Sequence, residues 1–266
     1  MTLHAALAAA ATLVSLAFAL STLDRWLDRR RRHEAAWTAA LLMFSIASGA
    51  LWVGAALGWD ELSFKVFYLF GAILNVPFLA LGTVYLLGGE RRGDRWAAVV
   101  SLLGAFSAGL IVEAPVVAPI PPDELPRGSE VFGAGPRIAA AIGSGVAALV
   151  IIGGALLSAW RLLRTGRRSS APQLPPSPVS PRRLALANLL IAAGTLVLSA
   201  GGLLNSVMDE MDAFALSLVV GIAIIFGGFL LTSTPRPLPA PEPWYPPNGR
   251  RHPPLEPRAP QHATHP

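Results

Sequence analysis

Long apolar runs without charge constrain this chain more than any other feature. Seven stretches of roughly 17 to 24 residues contain no Asp, Glu, Lys or Arg. A bilayer core about 30 Å thick needs about 20 mostly apolar residues for one crossing helix. The sequence therefore predicts an all-α protein, a polytopic membrane helix bundle with seven transmembrane helices. The predicted spans, which make residues 1–232 one transmembrane domain, are 5–23, 36–57, 66–87, 96–112, 138–160, 184–207 and 213–232.

The composition agrees with a membrane location. Of the 266 residues, 53% are hydrophobic and 14% are charged, whereas a water-soluble domain carries about 25% charged residues. The net charge of +5 is spread over short connectors, which argues against a nucleic-acid partner. The absence of Cys excludes disulfides, thiolate metal sites and cysteine nucleophiles.

Basic residues predict how the spans are oriented. Lys and Arg in short loops are retained on the cytoplasmic side of a membrane. Eighteen of the 21 bases lie in the connectors after spans one, three and five and in the C-terminal segment; the other three are Lys65, Arg127 and Arg137. The distribution predicts an outer N-terminus and a cytoplasmic C-terminus, and the alternation of basic and base-poor connectors supports seven spans.

Three segments outside the spans are rich in proline. The connector 113–137 holds six Pro, which removes backbone donors. It is interpreted as an extended connector, with an ordered cap over the bundle as the alternative. The connector 164–183 indicates a flexible basic linker, and residues 233–266, with 12 Pro, indicate a disordered cytoplasmic tail.

The predicted spans contain few side chains that could take part in catalysis or proton transfer. They contain no ionisable residue, which disfavours a retinal Schiff base and a proton relay through a buried carboxylate. The chain also lacks the motifs of zinc proteases, serine hydrolases and nucleotide-binding enzymes. The sequence predicts that the protein is not an enzyme and needs neither a metal nor a cofactor.

Two polar sets define a candidate path through the bundle. In span three, Pro77 frees the Ile73 carbonyl, and Asn75 adds an amide near the middle of the membrane. In span six, polar residues recur along one helix face, which either packs against another span or lines a polar path. A proline kink and ordinary packing are the alternatives. The path residues are Asn75, Pro77, Thr195, Ser199 and Asn205.

Small residues four apart allow helices to approach closely. The candidate packing positions are Gly54 with Gly58 in span two and Gly202 with Ser206 in span six. Packing within one chain explains them, and homo-oligomerisation through Gly54 and Gly58 is the alternative.

Two segments resemble multi-pass membrane proteins of actinobacterial type, a group to which no activity is attached. They are RHEAAW, 32–37, and FYLFGAILNVP, 67–77. The resemblance implies a location in the bacterial plasma membrane.

Spans two and six also share a pattern of paired leucines and small residues ahead of Asp-Glu, at 41–61 and 189–210. Two parallel three-helix units joined by span four would be similar to the 3+1+3 plan of the sugar-transporter family called SWEETs. Chance alignment of small and apolar residues is the alternative.

Two functional hypotheses follow. The first is a non-enzymatic membrane component, a scaffold or sensor subunit, whose basic loops and tail bind anionic lipid or a cytoplasmic protein. The second is a carrier or channel for a small neutral solute. A carrier requires a cavity between spans three and six, whereas a scaffold requires a tightly packed bundle.

Overall fold

The structure, a computed structural model, describes residues 3–122, 124–165, 181–208 and 211–232. Regular elements in these ranges are helical, apart from one isolated bridge between Val116 and Phe132. The predicted flexible linker and proline-rich tail fall largely outside the described residues. The helices are α1 (Leu3–Arg29), α2 (Arg32–Leu57), α3 (Glu61–Phe67), a π-helical turn (Tyr68–Leu74), α4 (Asn75–Gly88), α5 (Glu90–Glu113), α6 (Gly128–Val131), α7 (Ala134–Thr165), α8 (Pro181–Met208) and α9 (Met211–Thr232).

Six of these helices are long and apolar enough to cross a membrane. They are α1, α2, the continuous helix Glu61–Gly88, α5, α7 and α9, and α5 corresponds to the short predicted span four. In α8 the described apolar stretch is shorter, Leu189–Gly201. The chain is therefore an all-α, multi-pass membrane protein.

The helices follow one another around a ring. α1 packs against α2 and α9, α2 against α4, α4 against α7, α7 against α8, and α8 against α9. α5 packs mainly against α4 and α7 and is exposed along most of its length. Helices that follow one another along the chain can form a ring with short connectors alone. This arrangement is therefore no independent evidence for the two duplicated three-helix units considered above.

Buried hydroxyl groups join α1 to α2. Ser15 Oγ and Ser45 Oγ lie 2.9 Å apart, and Thr38 Oγ1 donates to Thr22 Oγ1 over 3.0 Å. Ser45 and Thr38 each lie near the backbone carbonyl four residues earlier as well. Because these hydroxyls find partners within the two helices, they serve packing.

The prediction of an extended connector at 113–137 is wrong. Leu125, Val131 and Phe132 are buried, and the Phe132 ring stacks on Phe64 with 5.3 Å between centroids. The Trp59 backbone N–H donates to the Pro122 carbonyl over 3.1 Å, which ties the connector to the turn between α2 and α3. Proline removes backbone donors but does not prevent burial of the apolar side chains between the prolines. The connector is thus an ordered cap on one end of the bundle.

Candidate functional site

A cavity of about 870 Å³ lies inside the ring of helices. Its lining comes from α2, the Glu61–Gly88 helix, α7, α8, α9 and the capping connector. Along α7 the lining runs from Arg137 to Ala148, about 16 Å at 1.5 Å per residue. Cavities of about 300 to 1,000 Å³ are typical of small-molecule sites.

One wall of the cavity is built on an irregular helix. The segment Tyr68–Leu74 is π-helical, and the Asn75 N–H donates to the Phe70 carbonyl, five residues earlier. Pro77, two residues further on, has no N–H to continue the ladder. π-helical turns within α-helices often occur at functional sites. The irregularity places Asn75 on the cavity wall at the point where the backbone ladder is interrupted.

The interrupted ladder is stabilised from α7. Ser144 Oγ donates to the Ala72 carbonyl. A Cβ built on Gly143 would lie 3.1 Å from the Ile73 carbonyl oxygen and 3.7 Å from Pro77 Cγ. Glycine therefore lets the two helices approach closely here. Pro77 is buried against α7 rather than on the cavity wall.

Asn75 has hydrogen-bonding capacity that its surroundings leave unused. Its residue exposure is 9%, and its Oδ1 has no hydrogen-bond partner among the described residues. A buried polar atom without a partner costs about 1–3 kcal/mol. The torsion at the end of an Asn side chain is soft, so a small rotation presents either end of the amide to the cavity. Asn75 can therefore bind a polar group on a guest molecule.

Helix α8 contributes two of the predicted path residues to the same cavity. Thr195 is buried, and its hydroxyl donates to the Ile191 carbonyl over 2.8 Å. Ser199, one turn further on, is exposed and also lines the cavity. The structure thus brings Asn75, Thr195 and Ser199 around one space. The side chains of Asn205 and Ser206 and the surroundings of Gly202 lie outside the described part of α8.

The end of the cavity beneath the connector carries positive charge. Of its described lining residues, the only charged ones are Arg127 and Arg137. Arg127 Nη1 lies 3.4 Å from Glu130 Oε1. The Tyr68 ring lies close beside Gly128, where a Cβ would approach Tyr68 Cε2 to 2.2 Å. This end, which we call the mouth, is therefore both cationic and narrowed by the connector.

The opposite end of the cavity is closed by apolar side chains. Leu41, Phe44 and Ile225 line the cavity and belong to a buried cluster that extends to Phe18 and Phe229. We call this cluster the floor. The floor separates the cavity from the end of the bundle where α1 ends and α2 begins.

An ion pair lies beyond the floor. Arg25 Nε is 3.4 Å from Glu34 Oε1, and the Arg25 guanidinium stacks 4.4 Å from the centroid of the Phe229 ring. Glu34 is fully buried, and its Oε2 has no hydrogen-bond partner in the described structure. The pair joins α1, α2 and α9 below the cavity.

The candidate packing residues Gly54 and Gly58 lie next to the connector. A Cβ on Gly54 would approach the Trp59 ring to 2.4 Å, and Gly58 has a positive φ of 95° beside Pro122. Both glycines therefore have a structural role within the chain. In the described ranges, no three His, Asp or Glu side chains are grouped to hold a metal.

Sequence reasoning missed Ser144 and the two mouth arginines. Ser144 carries no signal, because a single Ser in a span is ordinary. The two arginines, Arg127 and Arg137, do have a sequence signal, because they are two of only three bases on the predicted outer side. Comparisons with known proteins add no relative, since no family model, curated protein or solved structure matches this chain.

Proposed function

We propose that this protein is a non-enzymatic carrier of the bacterial plasma membrane and takes a small, weakly polar solute into the cavity. The observation that carries the proposal is that Asn75, Thr195 and Ser199, from two different helices, line one cavity of about 870 Å³. A scaffold gains stability from close packing, because lipid supplies no hydrophobic force between helices. A space of this size gives up such contacts, which favours a role in binding.

The cavity walls indicate the kind of solute. Apart from the mouth, the described lining is apolar or uncharged, with Phe67, Phe214 and Leu218 facing a few hydroxyl groups and one amide. An ionised group is costly to bury without a partner. The part of the solute that enters the bundle is therefore neutral and mostly apolar, with one or two groups that can hydrogen-bond to Asn75 or Ser199.

The proposal includes a topology. Helix α8 also crosses the membrane, as the sixth of seven spans. The N-terminus and the mouth face outwards and the C-terminus lies in the cytoplasm, since the bases divide in this way between the connectors. The basic connectors contact anionic lipid headgroups or a cytoplasmic protein.

Cysteine accessibility in this Cys-free chain tests the proposal. Ala148 lines the cavity, whereas its neighbour Leu149 is 73% exposed on the outside of the bundle. Ala148→Cys and Leu149→Cys are therefore matched variants on one helix. A membrane-impermeant thiol reagent is applied to intact cells and to inside-out vesicles, with Ser199→Cys as a second cavity position.

We expect the thiols at 148 and 199 to react and the thiol at 149, which faces lipid, to stay unlabelled. Labelling at 148 from both sides of the membrane supports a carrier. Labelling from a single side contradicts transport across the membrane and supports a sensor that binds its ligand without moving it. Protection of 148 and 199 from both sides contradicts a water-accessible cavity and returns the protein to the scaffold hypothesis.

A further inference from the structure

The mouth carries positive charge on the side of the membrane to which almost no other basic residue is assigned. Lys65, Arg127 and Arg137 are the only bases in the connectors assigned to the outer side, and two of the three line the cavity. The third, Lys65, is engaged elsewhere: its Nζ is 2.7 Å from Glu61 Oε1 and donates to the Val112 carbonyl. Retention of bases in the cytoplasm accounts for their scarcity outside but does not explain why two of the three that remain border the cavity.

The two arginines differ in what they already bind. Arg127 lies beside Glu130. Arg137, at the start of α7, is exposed and makes no hydrogen bond or ion pair with any residue in the described ranges. A guanidinium offers donors in a planar fork that matches carboxylate and phosphate oxygens. Arg137 is therefore available to an anionic group at the mouth.

The interior below Arg137 has the opposite character. Along α7 the next lining residues are Ala140, Ala141 and Ser144, and the facing walls carry aromatic and branched side chains. No acidic residue occurs among the described lining residues. A molecule that satisfies both regions has a charged end and an uncharged body.

We propose that the ligand of this cavity is an amphipathic anion whose carboxylate or phosphate binds Arg137 at the mouth while its apolar body lies between α4, α7 and α9. This inference rests on the proposed function and refines it: the buried part of the solute is neutral, and the charge stays at the mouth. Asn75 binds a polar group within the body where the ligand has one. Free single-chain acids and membrane phospholipids share this chemistry.

The test uses the full-length Ser199→Cys protein in phosphatidylcholine vesicles at alkaline pH. The rate of thiol labelling is measured with increasing dodecanoate or with dodecanol, which has the same chain but no charge. A second preparation contains phosphatidylglycerol and no added amphiphile. The variant Arg137→Gln tests the mouth, and Arg95→Gln, an exposed arginine on α5 outside the cavity, is its matched control.

We expect dodecanoate to protect the thiol at lower concentration than dodecanol. Arg137→Gln should raise the protecting concentration of dodecanoate about tenfold, since a hydrogen bond between charged groups is lost, and should leave dodecanol unchanged. Arg95→Gln should change neither. Protection by phosphatidylglycerol alone supports the inference and identifies a membrane lipid as the source of the anion.

Two results overturn the inference in distinguishable ways. Equal protection by both amphiphiles, or no effect of Arg137→Gln, refutes the anionic class and leaves the cavity intact. A thiol at 199 that never reacts, even without amphiphile, contradicts the proposed function itself and removes the basis of the inference.

Discussion

Filling the cavity from α7 should stabilise the protein while blocking the site. Gly145 lines the cavity, and a Cβ built there meets no heavy atom within 4 Å. Gly153, on the same helix, has the same open surroundings but does not line the cavity. Gly145→Phe and Gly153→Phe therefore differ only in whether the new ring enters the cavity.

The expected magnitude follows from volume. A phenyl ring fills on the order of 100 Å³, and cavity volume costs about 24 cal/mol per Å³, which gives about 2 kcal/mol for an empty cavity. Replacing a helical glycine adds a few tenths of a kcal/mol. Gly153→Phe should remain within about 0.5 kcal/mol of the parent protein.

Two measurements check this prediction. The free energy of unfolding is obtained by denaturant titration in detergent micelles, and the labelling rate of Ser199→Cys is measured in each background. Gly145→Phe should raise the first and slow the second, whereas Gly153→Phe should leave the labelling rate unchanged. A loss of more than about 1 kcal/mol in Gly145→Phe, or unaltered labelling, would refute the assignment of free space beside Gly145.

Two further predictions concern charged residues outside the cavity. Glu34→Ala should lower the free energy of unfolding by about 3–5 kcal/mol, because it removes a buried partner of Arg25. Asp94→Ala removes an exposed partner of Arg32 and should cost far less, because solvent screens the pair; equal losses would contradict the role of burial. Asp60→Ala should cost about 1 kcal/mol by removing the capping box with Ser63. Hydrogen bonds from Ser63 lower the pKa of Asp60, so this contribution is present at neutral pH and is lost as the pH falls through that lowered pKa. Thermal unfolding at several pH values measures it, and Asp60→Asn should remove most of the pH dependence while keeping the cap; an unchanged pH profile would contradict the assignment.

The membrane helices were predictable because a bilayer imposes one length and one solvent on each span. Each predicted span lies inside a described helix, and every one of these helices extends beyond the span at one end or at both. α1, for example, runs from Leu3 to Arg29 although the predicted span ends at residue 23. The extra turn carries Asp24, Arg25 and Arg29, whose charged groups exclude them from an apolar run but do not oppose helix formation.

The lateral arrangement was not predictable in the same way. Asn75 and Ser199 were identified because polar residues stand out in apolar helices. Their common cavity depends on which helices are neighbours, and no single-chain pattern encodes that. The connector illustrates the same difficulty, since its prolines predict extended backbone while Leu125 and Phe132 anchor it through contacts with residues far away in sequence.

Hydrogen-bonding capacity distinguishes the Asn75 amide in the cavity from the Ser and Thr hydroxyls between α1 and α2 better than polarity does. A Ser or Thr hydroxyl can donate to a carbonyl one turn earlier on its own helix, as Thr38 and Ser45 can, so its presence in a span implies nothing beyond packing. An Asn amide has two donors and an acceptor, more than one helix surface can satisfy. Asn75 lies where Pro77 has already removed a backbone donor. Among the described lining residues, its unpaired Oδ1 marks the position at which the cavity wall still has a hydrogen bond to offer a guest.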